Sequence, residues 1–195
     1  MKKSLSKSDI RVRRTHKAIL DAFTEMILEM SYHQITVKEL AVRAGINRKT
    51  FYLHYSTLED LLEDWQNVIS GTYLERTAGM KEQKDLEKLS REFFDYVNES
   101  RVHQRLVCDD RFRFIHNNVA NKIIAERKTH IHEISDLEEH MQNVIGVCMH
   151  FTMCDIYKQW VADGRKIPIE ELVKITNILI SKGINGLASY FNKED

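Results

Sequence analysis

Apolar residues between Asp9 and Met30 recur with a helical period. Ile19, Phe23, Met26, Ile27 and Met30 form one stripe for burial. Ser31-Tyr32-His33-Gln34 interrupts it. Thr36 and Glu39 have capping-box spacing and predict a second, short helix with Val37, Leu40 and Ala41 facing inward. Ala44-Gly45-Ile46-Asn47 reads as a tight turn, with Gly45 supplying backbone freedom and Asn47 capping a third helix over Arg48–Tyr55. Ile46 and Phe51 complete the inward set of this three-helix unit. Thr57, with Asp60 three residues on, opens a long fourth helix expected to run to about Gly79, its buried stripe being Leu58, Leu61, Leu62, Trp65, Val68 and Ile69.

Helical patterns continue downstream over about Asp85–Asn98, Arg101–Cys108, Arg111–His132 and Asp136–Asp163. Glu82-Gln83-Lys84 is the expected joint before them. Gly164 is placed to terminate the long penultimate helix, and Pro168 with Glu170 and Glu171 to open the last one. That last helix carries Ile169, Leu172, Val173, Ile175, Ile178, Leu179, Ile180, Ile184, Leu187 and Phe191. The last two helices are apolar around more of their circumference than one core contact requires. Gly146, Gly183 and Gly186 lie inside them, where glycine costs about 1 kcal/mol against alanine. A second subunit docking there as a four-helix bundle explains both features. Val144 and Cys148, with Ile175, Leu179 and Leu187, are the expected dimer contacts.

One proline and seven glycines in 195 residues, 43% of them hydrophobic, fit an all-α protein with a sizeable core. The expected architecture has about nine helices, with an N-terminal helix-turn-helix domain over 1–55 and a second helical domain over 56–195. The chain has zero net charge, but the charge is segregated. Residues 1–55 hold 11 Lys+Arg against 5 Asp+Glu, and the remainder holds 18 against 24. The first segment is therefore +6 and the rest −6, so the basic face travels with the helix-turn-helix. Arg11, Arg13, Arg14 and Lys17 crowd the start of the first helix, where they oppose its dipole and suit a nearby anion. Residues 1–8 form a basic arm that either touches DNA or is a solvated tail.

Chemistry concentrates in the third helix. Arg48, Lys49, Thr50, Tyr52, His54 and Tyr55 follow one another with almost no acid, which suits phosphate contact and the reading of base edges. Thr36 and Asn47 stand at the N-termini of the two short helices. The expected partner is double-stranded DNA, with a palindromic operator matching a twofold dimer.

Cys108, Cys148 and Cys154 have no CxxC spacing, and no apolar leader precedes them. Reduced thiols in a cytoplasmic, nucleoid-associated protein are expected, with no membrane span. His130, His132, His140 and His150 join Cys148 and Cys154 as ligand-type side chains in the second domain. None has a standard zinc spacing, and Cys148 and His150 point to different helix faces. They read as packed or surface residues, with no metal and no cofactor expected. No Gly-rich phosphate loop, HExxH or nucleophile elbow is present, and no enzyme is expected.

Residues 11–62 resemble the DNA-binding domain of the TetR family of bacterial transcriptional regulators. The resemblance rests on Ala18–Phe23, Ile35–Ala41, Ala44–Tyr55 and Leu61-Leu62. It implies an all-α homodimer whose second domain binds a small-molecule effector. Thr36, Thr50 and Tyr55 match positions that contact phosphate, and Arg48, Lys49, Tyr52 and His54 match positions that face bases. Asn47 stands where serine is commoner. Three departures are visible: the glycine after the first helix is replaced around Met30-Ser31, a lysine opening the fourth helix is Leu58, and Lys49 replaces a small residue. Phe93, Phe94, Phe112, Phe151, Tyr157 and Trp160 either line the effector pocket or fill the core. Trp160–Gly164, with Pro168 and Glu170-Glu171-Leu172, resembles regulators of dihydroxyacetone-kinase operons. The expected function is a repressor released by its ligand. The alternatives are an activator working with a protein partner and a metal- or redox-sensing regulator.

Overall fold

The computed structural model describes residues 7–80, 82–127 and 138–191. Side chains at 7–9, 82–84, 127, 184, 185 and 187–191 lie outside that description. So do the basic arm up to residue 6, His130 and His132, and the side chains of Glu82-Gln83-Lys84, Ile184, Leu187 and Phe191. Among the described residues the regular structure is entirely helical, and no helix is long and apolar enough to cross a membrane. The helices are α1 (Lys7–Glu29), α2 (Val37–Arg43), α3 (Arg48–Tyr52), α4 (Leu58–Arg76), α5 (Glu82–Glu99), α6 (Arg101–Cys108), α7 (Arg113–Arg127), α8 (Glu139–Ala162) and α9 (Ile169–Phe191). The chain divides into two compact units, Met1–Val68 and Ile69–Asp195.

In the first unit, Ile19, Phe23, Met26 and Ile27 of α1 are buried as their spacing predicts, together with Leu40, Ala41, Phe51, Leu61, Leu62 and Trp65. Phe23 meets Trp65 edge-on at 5.5 Å, and the Trp65 indole N–H donates to Thr24 Oγ1 at 2.9 Å. The missing glycine after α1 is replaced by side-chain chemistry. The Ser31 N–H donates to Gln34 Oε1 at 3.0 Å, and a single 3-10 turn over Tyr32–Gln34 follows, closed by the Ile35 N–H on the Tyr32 carbonyl at 3.0 Å. α4 opens on the predicted reciprocal cap. The Asp60 N–H donates to Thr57 Oγ1 at 3.1 Å, and the Thr57 N–H to Asp60 Oδ2 at 3.0 Å. Val68 departs from the expected buried stripe and is 48% exposed, because Trp65 and Ile69 turn the buried edge of α4 away from it.

In the second unit, α5 packs against α6, α8 and α9, and α7 against α8. The helical path breaks at Asp85 (φ −116°, ψ 15°), where the sequence pattern predicts the start of α5. Arg76 ties the end of α4 to α5 by forked hydrogen bonds to Glu99 at 2.6 and 2.8 Å and an ion pair with Glu92. The Arg111 start expected for α7 is a 3-10 turn over Asp110–Phe112, capped by Asp109. α8 ends as predicted. Gly164 has φ +76°, its N–H donates to the Val161 carbonyl at 3.0 Å and that of Arg165 to the Trp160 carbonyl at 2.8 Å, the paired bonds of a Schellman stop. The close approach expected at Gly146 occurs within the chain. A Cβ there would lie 3.0 Å from Ile124 Cγ2, so the absent methyl lets α7 come close to α8. Gly183 and Gly186 have open space at their Cβ positions.

Candidate nucleic-acid interface and second-unit sites

The turn before α3 is fixed by backbone chemistry. Gly45 sits at φ +66°, its N–H donates to the Val42 carbonyl at 3.1 Å, and the Ile46 N–H donates to the Ala41 carbonyl at 2.9 Å. This left-handed position closes α2 at a cost only glycine avoids. Asn47 then caps α3: its Oδ1 accepts from the Thr50 N–H at 2.8 Å and the Thr50 hydroxyl at 3.1 Å. Thr36 does the same for α2, accepting from the Glu39 N–H at 3.2 Å and donating its hydroxyl to Glu39 Oε2 at 2.8 Å. Both caps hold short helices that would otherwise be marginal.

α3 regular geometry ends at Tyr52, three residues before the predicted Tyr55. Phe51 is fully buried and Tyr55 is 7% exposed, so the chain bends inward after one and a half turns to bury both. Arg48, Lys49 and Tyr52 are left on the outside, with Thr50 and His54 half-buried. Burial, and then the positive charge of nearby His16, lowers the His54 pKa from its ordinary value. Two other cations of this unit are paired within it: Lys17 with Asp21 at 2.5 Å and Arg43 with Glu29 at 2.6 Å. Arg48 and Lys49 have no ion pair among the described residues and stay open to an external anion.

Tyr55 is a strut. Its hydroxyl donates to Asp64 Oδ2 at 2.6 Å, and the same carboxylate oxygen lies 2.8 Å from His16 Nε2. The His16 ring stacks on Tyr55 at 5.9 Å. One carboxylate on α4 therefore holds α1 and the end of the α3 segment. Burial first, and then Asp64, pushes the Tyr55 phenol well above its ordinary pKa, so it remains a donor.

The second unit distributes the predicted pocket residues among several environments. Phe94, Phe112 and Tyr157 are fully buried core. Phe93 lines a small apolar cavity of about 40 Å³ with Tyr73, Tyr96, His103 and His150. Phe151 borders a polar cavity of about 340 Å³ that includes His116, Asn117, Cys154, Asp155 and Lys158. Trp160 borders a groove with Ile167 and Ile175, and its indole N–H donates to the Ile167 carbonyl at 2.8 Å. Of the predicted dimer contacts, Val144 is 68% and Leu179 56% exposed, and Cys148 and Ile175 are also exposed. Val144, Cys148 and Leu179 border one apolar groove of about 510 Å³ between α8 and α9. Leu187 lies on α9 with its side chain outside the described residues.

Residues 19–64 match the sequence model for "Bacterial regulatory proteins, tetR family". The matched segment holds α2, α3 and the opening of α4, and over it the chain is similar to that family. Over longer stretches it is 24% identical to the HTH-type transcriptional activator FasR of Mycolicibacterium smegmatis, covering 81% of this chain and 77% of that protein. It is 27% identical to the HTH-type dhaKLM operon transcriptional activator DhaS of Lactococcus lactis, covering 86% and 90% respectively. The fold is shared with the transcriptional regulator FadR from Bacillus subtilis in complex with stearoyl-CoA, with TM-score 0.60 at 19% identity over 86% of this chain and 98% of that one. The family match is confined to residues 19–64, and the likeness to solved structures shows a shared fold.

In the first unit the capping residues and the exposed cations are legible in the sequence, whereas His16 and Asp64 are not. Asp64 lies on the first turns of a long helix among other acids, and only the fold shows that it faces Tyr55. His116 is missed in the second unit for the same reason. It is 34 residues from His150, and helix packing alone brings the two rings to 5.8 Å.

Proposed function

We propose that this protein is a TetR-family regulator that binds a palindromic operator as a homodimer, with Arg48, Lys49, Tyr52 and His54 entering the major groove and Thr36 and Thr50 lying along phosphate. The observation that carries this reading is the preorganised α3, capped by Asn47 and presenting two cations with no internal partner. Arg48 suits a bidentate contact to guanine, worth about 1–3 kcal/mol of discrimination. The exposed apolar stripe of Val144, Val147, Ile178 and Leu179 supports the dimer, since burial on a second copy removes it from water. In this reading the second unit takes an effector whose binding changes the spacing of the two reading helices, and the regulator is a repressor released by that ligand.

A second reading, transcriptional activation, is favoured by the names of the two long-range relatives, both called activators. It uses the same DNA interface and differs in what the bound dimer recruits.

Selection of bound sequences from random duplex DNA at near-physiological salt tests the common core. The expected result is a palindromic consensus with half-sites about one helical turn or somewhat more apart, bound by a dimer in solution. Salt-sensitive binding without a consensus, or a monomer on DNA, would overturn it. Transcription from a promoter carrying that consensus, with and without the regulator, then separates repression from activation.

A further inference from the structure

We propose that His116, His150 and Cys154 form a binding site for a thiophilic d10 metal ion, Zn2+ or Cu+. Their donor atoms all lie within 4.8 Å of one another, and no other grouping of this kind stands out in the described part of the second unit. His150 and Cys154 are four residues apart on α8 and so share one helix face, and His116 comes to them from α7. Cys154 Sγ is 3.5 Å from His116 Nε2. A tetrahedral ion held about 2.0 Å from an imidazole nitrogen and about 2.3 Å from a thiolate places those two donors about 3.5 Å apart. This pair already has that separation, and His150 completes a third position by a modest movement of its ring.

The second observation is an orphaned atom. His150 is buried, yet its Nε2 has no hydrogen-bond partner. Leaving a buried polar atom unpaired is costly, and nearly all such groups in folded proteins are satisfied. The His116–Cys154 contact accounts for two members of the cluster but leaves His150 unexplained, and a shared ion accounts for all three. Asn117 Oδ1 is likewise buried without a partner, and Asn117 borders the polar cavity onto which His116 and Cys154 open. A water on the ion's fourth position would reach this side. The cavity also carries Asp109, Asp110 and Asp155 against Arg113 and Lys158, so its wall does not repel a cation. Two imidazoles and one thiolate suit both Zn2+ and Cu+, whereas hard oxygen-seeking ions such as Mg2+ are disfavoured. On binding, the Cys154 thiol loses its proton to water and coordinates as thiolate.

The test uses the full chain, reduced and stripped of metal, without DNA, so its outcome is separate from that of the operator-binding reading. Titration with Co2+, the spectroscopic stand-in for Zn2+, should reach one ion per chain with a thiolate charge-transfer band, and Zn2+ should displace it. A parallel titration with Cu+ against a chromophoric chelator decides which ion binds tighter. Cys154→Ser should abolish the band. It should weaken binding by more than about 100-fold, beyond what loss of an outer partner costs. His150→Gln and His116→Gln should weaken it similarly, whereas Cys148→Ser and the combined His130→Gln, His132→Gln, His140→Gln variant should bind like wild type. X-ray absorption on the wild-type complex needs no variant, and it should read one sulfur and two imidazoles. Failure to bind Co2+, Zn2+ or Cu+ stoichiometrically, a sulfur-free shell, or binding unchanged in Cys154→Ser would overturn the assignment.

Discussion

Replacing Tyr55 by Phe removes one oxygen and leaves the shape of the helix-turn-helix core intact. The lost bond is a 2.6 Å donation to the Asp64 carboxylate. Hydrogen bonds to charged groups contribute about 1.5–3 kcal/mol. The Asp64 side chain is 36% exposed, so water replaces part of the loss. The expected cost is therefore at the low end, about 1–2 kcal/mol. For a small unit with a urea slope near 1 kcal/mol per molar, this lowers the unfolding midpoint by about 1–2 M. The two tryptophans, Trp65 and Trp160, lie in different units. In a Trp160→Phe background, Trp65 fluorescence follows the DNA-binding unit alone. The control is a double-mutant cycle with Asp64→Ala, in which Tyr55→Phe should cost almost nothing further. An unchanged midpoint, or an equal cost with and without Asp64, would refute the strut.

The two open cations should behave differently on the selected operator. Arg48→Ala is expected to relax preference at one base position at a cost of about 1–3 kcal/mol, whereas Lys49→Ala, if it meets phosphate, should weaken all sequences alike and reduce the salt slope by about 1. Anisotropy titrations over a salt series read both. Gly45→Ala forces a side chain onto φ +66° and should destabilise the first unit by about 1–2 kcal/mol in the Trp65 assay, whereas an unchanged midpoint would contradict the strained turn. His103 is held below its ordinary pKa, first by burial, against the hydrogen bond of its Nδ1 to the Tyr96 carbonyl and the field of Glu99. The unfolded chain thus takes up a proton that the folded chain resists. The contribution is fully present above the ordinary histidine pKa and is lost as pH falls below it. Acidification from pH 7 to 5 should therefore narrow the stability gap between wild type and His103→Gln, read by Trp160 fluorescence of the metal-free protein, and parallel pH profiles would show the reading to be wrong.

The parts of the fold legible in the sequence are those fixed by local chemistry. Caps at Thr36, Asn47 and Thr57, the stops at Gly45 and Gly164, and the α1 stripe follow from a few adjacent residues, and they appear where their spacing predicts. The end of α3 was not legible, because it depends on Tyr55 finding Asp64, a tertiary contact that overrides a helical pattern. Val68 fits a helical stripe as well as Ile69 does, and only the packing of α4 separates them. The turn after α1 shows a different limit. Its expected glycine is absent, and Ser31 takes an extended backbone at φ −70° with its N–H held by the Gln34 side chain. Gly146 shows where the expectation of a second subunit fails, since its close neighbour is Ile124 of the same chain. The His116–His150–Cys154 cluster has no linear signature, since two members share one helix face and the third arrives from another helix.

The open state of Arg48 and Lys49 has a kinetic meaning. Lys17 and Arg43 have acids of their own, and an approaching phosphate would have to compete with those acids. No such exchange stands in the way at the start of α3. In a chain of zero net charge, Arg48 and Lys49 thus keep an uncancelled attraction at the start of α3, where the proposed reading places the DNA. Added salt should then slow capture of the operator more than it hastens release, and those few cations should govern how soon the protein arrives as much as how long it stays.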